Sequence, residues 1–188
     1  MPLIVSSDSK NFEPLPIGVV QAVCSLVVDI GTHKGEYKGV ETFRKQLVII
    51  WELNAQMERG DNAGKNFTCT KFYTASLDTK ATLRKDLESW RGKPFTDEEL
   101  RGFDLEILLG VNCMLNICES KKQDGSTTQK IGAIMPMIKG LTKMDSTIKE
   151  IPKWVQKKKE QAIDYSGPKT VDNDGAPIVA NPEDDLPF

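Results

Sequence analysis

The chain holds a single histidine, His33, and none of its four cysteines (Cys24, Cys69, Cys113, Cys118) forms a CxxC pair. A zinc site needs four clustered ligands, so this pattern argues against one. Small buried thiols are the expected role of the cysteines, and free thiols suit a reducing compartment. A Gly-rich phosphate loop of the GxxxxGK(S/T) type is missing, as is a Ser or Cys nucleophile beside a suitable base. Asp97-Glu98-Glu99 reads as a helix start that favours the dipole, not as an acid/base pair. The expectation is a non-enzyme with no cofactor and no metal. No apolar run approaches the roughly 18 residues of a membrane span, and the N-terminus lacks the basic-then-apolar pattern of a signal peptide. A cytoplasmic protein is expected.

Basic charge is missing from one place in particular. Residues 171–188 hold Asp172, Asp174, Glu183, Asp184 and Asp185 and no Lys or Arg. All 25 basic residues therefore lie in 1–170 beside 22 of the 27 acids, which makes the body +3 and the tail −5 in a chain of net charge −2. A mildly basic body with a separable acidic tail permits phosphate binding. The 39% hydrophobic and 28% charged content is that of an ordinary soluble domain, and 188 residues suit one domain with a tail.

Residues 1–16, with Ser6-Ser7-Asp8-Ser9, Pro14 and Pro16, read as a loose N-terminal arm. In 17–30, Ala22, Cys24, Leu26, Val28 and Ile30 recur at period two, which predicts a long strand. Gly31 to Gly39 reads as a turn. A second strand over about 42–53 is apolar on both faces near its middle, so the pattern leaves open whether Trp51 points to core or surface. A polar connection over 54–65 leads to a third strand, 66–76, where the side taken by Tyr73 is likewise open. Leu83, Leu87 and Trp90 then fall at i, i+4, i+7, a helix capped by Asp78 or Thr79 and ended by Gly92. Thr96 with Glu99 is a capping box. Val111, Cys113, Leu115 and Ile117 restart the alternation, Asp124-Gly125 is a hairpin turn, and a last strand covers about 129–137. Residues 17–140 form the domain. Residues 141–166 stay open between loop and short helical extension, because Pro152 interrupts a thin apolar stripe. From 167 the composition supports no core, and a disordered acidic C-terminal tail is expected.

That tail ends Glu183-Asp184-Asp185-Leu186-Pro187-Phe188. It resembles the acidic tip of bacterial single-stranded DNA-binding proteins, where aspartates precede an aliphatic residue, Pro and a terminal Phe. The run from Leu83 to Thr96 (LRKDLESWRGKPFT), followed by Glu98-Glu99-Leu100, also resembles a segment common in phage-encoded proteins of this size, several of them single-stranded DNA-binding replication proteins. With the tip, the resemblance covers roughly residues 20–140 and 181–188. The strand order, three strands, a helix, two strands, agrees with it. A mainly β fold is expected: a five-stranded OB-fold barrel with a helical insertion between strands 3 and 4.

The implied function is sequence-independent binding of single-stranded DNA in replication, recombination or repair, in host cytoplasm if phage-encoded. Asp184, Asp185, Leu186, Pro187 and Phe188 would recruit replication and repair proteins, and whether the protein is a homo-oligomer stays open. Such binding needs aromatic rings beside a cationic groove. Four clusters interleave the two: Tyr37-Lys38, Phe43-Arg44-Lys45, Lys71-Phe72-Tyr73, and Lys121-Lys122 with Lys130. Trp51 is a further candidate. In an OB barrel these positions fall on the outer faces of strands 2 and 3 and on the flanking turns. Arg84, Lys85, Arg91 and Lys93 read as the wet side of a helix, with an extra phosphate contact as the alternative. Lys157-Lys158-Lys159 reads as a solvated face, with a hold on the acidic tail in the absence of DNA as the alternative. A protein-binding adaptor and a strand-annealing accessory protein are the alternatives.

Overall fold

The structure is a computed structural model that describes residues 13–37, 40–122 and 124–165, with only the backbone described at Tyr37. Period-two alternation becomes five strands: β1 (Gly18–Tyr37), β2 (Val40–Gln56), β3 (Asn66–Thr74), β4 (Asn112–Lys121) and β5 (Thr127–Pro136). They form one antiparallel sheet in the order β3-β2-β1-β4-β5. β1 pairs with β4 through Gly18–Val23 and with β2 from Ala22 to Tyr37, so one long strand serves both halves of the sheet. Its register shifts at Ser25 and at Ile30; bulges of this kind bend a strand and tighten its twist. The edge strands β3 and β5 come near each other but are not neighbours in the hydrogen-bonded order, and the sheet is unclosed. The turn expected over 31–39 is largely strand, because the β1–β2 hairpin runs on to Tyr37 and Val40.

The inner face is the main core. Leu47, Ile49, Trp51 and Leu53 of β2 meet Phe67, Cys69 and Tyr73 of β3, Cys113, Leu115 and Ile117 of β4, and Ile131 and Ile134 of β5. Helix α1 (Thr82–Arg91) closes this face with Leu83, Leu87 and Trp90, the stripe that its spacing predicts. Gly92 ends α1 in the left-handed region, φ 67°. Ala81 occupies the N-cap position with no side-chain bond, so the cap expected at Asp78 or Thr79 does not form; Asp78 instead takes part in a local exchange with Ser76. Helix α2 (Asp97–Arg101) carries the capping box, with Thr96 N donating to Glu99 and Glu99 N to Thr96. Burial pushes the Cys24 and Cys69 thiols up to about 12. Cys113 is pushed higher still by burial and by its neighbours Cys24 and Cys69.

Two expectations change at the chain's ends. Residues 13–15 are tied down rather than loose: the Glu13 carboxylate accepts from the Glu58 and Arg59 amides, and Leu15 N donates to Gln129. Beyond β5 the open stretch contains a helix, α3 (Lys153–Glu160). Pro152 does not interrupt it. It sits at the N-cap, where its missing amide costs no helical bond.

Residues 141–165 form a strap over the outer face of the sheet. Gln21 Nε2 donates to Thr142 O (2.8 Å), and Asn112 exchanges two bonds with the backbone of Met144 (2.9 and 3.0 Å). Farther along, Val155 lies fully buried among Val28, Ile30, Val48 and Ile50. Ile163 N then bonds Thr32 O at 2.9 Å. Gly31 makes this last approach feasible. Its φ is +81°, and a Cβ there would lie 2.5 Å from the Cβ of Ala162. Gly31→Ala is expected to lower stability by about 1–2 kcal/mol from the backbone conformation alone, and by more from the clash. Thermal melts of Gly31→Ala with and without Ala162→Gly check this: the second change should return only the clash component.

Candidate functional site

Strand parity decides which sequence-predicted residues can reach a ligand. On β2 the inner set is Leu47, Ile49, Trp51, Leu53, which leaves Val48, Ile50 and Glu52 outward. Trp51 is fully buried, with its ring centroid 6.0 Å from that of Trp90. It is a core residue and cannot stack on a base while the sheet is intact. Tyr73 is inward too. Its hydroxyl donates to Asp86 Oδ2 at 2.7 Å, and Lys71 Nζ reaches the same oxygen at 2.6 Å. Burial and then Asp86 push the Tyr73 phenol upward. Lys71 and Tyr73 thus clasp β3 to α1, a structural task that competes with any role in a groove.

Phe72 differs. It comes next after Lys71 but stands on the opposite, outer face, pairs in register with Val48, and keeps 47% of its surface exposed. The Trp154 ring of α3 packs edge-on against it, centroids 6.0 Å apart at 62°, and is itself 46% exposed. Phe43 stacks on Tyr165 at 4.1 Å, nearly parallel. Its neighbour Lys45 pairs with Asp29 at 2.9 Å, and Arg44 is half-buried. Trp154 and Tyr165 were missed in the sequence because their segment showed too thin an apolar stripe to be placed; an aromatic set beside the lysines of α3 was the available signal.

Lys121, Lys122 and Lys130 are exposed on the β4–β5 hairpin. The antiparallel register puts that hairpin beyond the Gly18 end of β1, whereas Phe43 and Arg44 pair near its Tyr37 end. Among the described residues, the Phe43, Phe72 and β4–β5 hairpin clusters therefore do not converge on one spot. The structure gathers Phe72 with Trp154 and Phe43 with Tyr165, and leaves the β4–β5 lysines apart. Arg84 pairs with Glu88 at 2.9 Å, and Arg91, paired with Glu99, lies over the rings of Phe95 and Phe103 at 4.4 and 5.1 Å. Both brace the helical insertion. Lys38 and the tip residues Asp184, Asp185, Leu186, Pro187 and Phe188 lie outside the described residues, as does the rest of the expected tail.

A cleft of about 540 Å³ opens between the β2–β3 connection and the strap, lined by Glu52, Gln56, Met57, Asn66, Thr68 and Thr147 among others. Glu52 is its one buried charge. It accepts from Thr147 N and Oγ1 (both 2.7 Å), Asn66 Nδ2 (2.9 Å) and Ser146 Oγ (3.1 Å). Burial raises its pKa and is the largest single influence. The bonds from Thr147, Asn66 and Ser146 together outweigh burial and hold the carboxyl below the usual glutamate value. Its acceptor capacity is committed, mostly to the strap and otherwise to Asn66 of β3.

Among the described residues no group of three or more His, Cys, Asp or Glu side chains could hold a metal ion, and no described helix is long and apolar enough to cross a membrane. No family model matches the chain, and no curated protein matches it either.

Proposed function

We propose that the protein binds single-stranded DNA without sequence preference, using the outer face of the sheet beside α3, and serves replication, recombination or repair. The observation that carries this reading is Phe72, an aromatic ring standing half-exposed on the outer face of a sheet that sends Trp51, Phe67 and Tyr73 inward. A ring with one open side is what base stacking requires. A curled antiparallel sheet whose long β1 pairs with both β2 and β4 supports an OB-type arrangement. On that reading β3 and β5 are the strands that would complete the barrel. The resemblance of the last residues to the tip of bacterial single-stranded DNA-binding proteins supports a partner-recruiting tail, and the resemblance of 83–100 supports a phage origin.

Fluorescence anisotropy with labelled oligo-dT tests the reading. Saturable binding that weakens steeply with salt is expected, with duplex competing poorly. No binding at low salt would refute it. An acidic tail that competes with DNA for the basic body adds a second expectation. Deleting residues 171–188 should tighten oligo-dT binding at low salt, and unchanged or weaker binding would remove the tail from the mechanism.

A further inference from the structure

The strap brings its own chemistry to the outer face. Val155 anchors α3 in the apolar patch of β1 and β2. Successive helical residues turn by about 100°, so the neighbouring Trp154 is carried to the side of the helix, against Phe72 of β3. Lys157 and Lys158 follow one turn on, at i+3 and i+4 from Trp154, the positions that share its side of the helix. α3 holds Lys153, Lys157, Lys158 and Lys159 against the single acid Glu160. None of these lysines joins a salt bridge among the described residues. Two half-exposed rings from distant parts of the chain thus meet beside a run of cations.

We infer that the strap forms half of the DNA site: Phe72 and Trp154 together are the platform on which bases stack, and Lys157 and Lys158 take the adjoining phosphates. This rests on the single-stranded DNA reading above. The strap stays docked when the ligand arrives, because lifting it would expose Val28, Ile30, Val48 and Ile50 and unmake the bonds of Gln21, Asn112 and Glu52. The ligand meets its outer side.

The protein's three tryptophans make the test direct. Trp51 and Trp90 are buried, at 0% and 4% exposure, and Trp154 is not. Oligo-dT should quench the intrinsic fluorescence of the full chain, and Trp154→Phe should abolish most of that quenching. Trp154→Ala and Phe72→Ala should each weaken binding about 5-fold or more. Lys157→Ala with Lys158→Ala should flatten the log–log salt dependence by about 1.4. Circular dichroism and urea midpoints confirm that each variant is folded, and Trp154→Phe keeps an aromatic ring in place should the alanine form loosen the strap. If wild-type protein does not bind oligo-dT, the DNA reading fails and this inference with it. If wild type binds while Trp154→Ala keeps full affinity and Trp154→Phe keeps its quenching, the inference alone is overturned. Tighter binding by Trp154→Ala would also overturn it, by making the strap a cover over the site.

Discussion

Trp51→Ala is expected to destabilise the protein by about 3–5 kcal/mol, the range for removing a large buried aromatic. Trp51 has no exposed surface, packs against Trp90, and stands in the middle of β2 with sheet neighbours on both sides. Its loss opens a cavity under α1, where Leu83, Leu87 and Trp90 close the inner face. Neither a strand nor a helix can collapse into that space without shifting its hydrogen-bonded neighbours. Trp51→Phe keeps part of the volume and should cost much less. Urea unfolding of the two variants measures the difference. A Trp51→Ala protein of near wild-type stability that had lost only DNA affinity would mean that the ring faces the ligand after all.

Glu52→Ala should open the strap. Four donors converge on this carboxylate: two from Thr147, one from Ser146 and one from Asn66. Deleting it takes a charged acceptor from part-buried donors, at about 1.5–3 kcal/mol for a hydrogen bond to a charged group and less where water replaces it. The loss is local, because α1 and the inner face do not touch Glu52. Hydrogen exchange should therefore quicken in 142–165 well before it quickens in β2 or β4. Exchange that rises uniformly, or not at all, would show that Glu52 does not latch the strap. Acid should act in the same direction. The folded carboxyl lies below its ordinary value, so its contribution is complete above the unfolded pKa and disappears as pH falls through the folded one. Strap protection, corrected for the intrinsic pH dependence of amide exchange, should fall below the ordinary carboxylate range and stay flat above it.

The same strap explains which parts of this molecule were legible in its sequence. Where one face of an element meets the core and the other meets water, the pattern was plain. Leu83, Leu87 and Trp90 marked the buried side of α1, Gly92 its end, and Thr96 with Glu99 the start of α2. Trp51 was ambiguous because Val48 and Ile50, on the opposite face, are as apolar as Ile49. They are apolar because α3, a hundred residues downstream, sits on them. Local periodicity carries no trace of so distant a cover. The strap was hard to place for the converse reason: Val155 is its one fully buried apolar residue, and its remaining attachment is polar. Gln21, Glu52 and Asn112 interrupt apolar strands and are themselves buried. A glutamate flanked by Trp51 and Leu53 was the sign that something polar had to lie across β2. Of the proposed site, Lys157 and Lys158 read as a solvated face, and Phe72 could be picked out from residue type alone. Its pairing with Trp154 could not, since it depends on how 138–152 cross the sheet.

The cysteines have a practical consequence. Three of the four are buried with thiols held in the unreactive protonated form. Cys118 alone reaches the surface in part, on β4 opposite Lys130 and three positions before Lys121. A maleimide dye added to the native protein would attach at one known address on the β4–β5 hairpin, with no engineered substitution. Energy transfer from there to a labelled oligonucleotide would trace the path of the bound strand across the molecule.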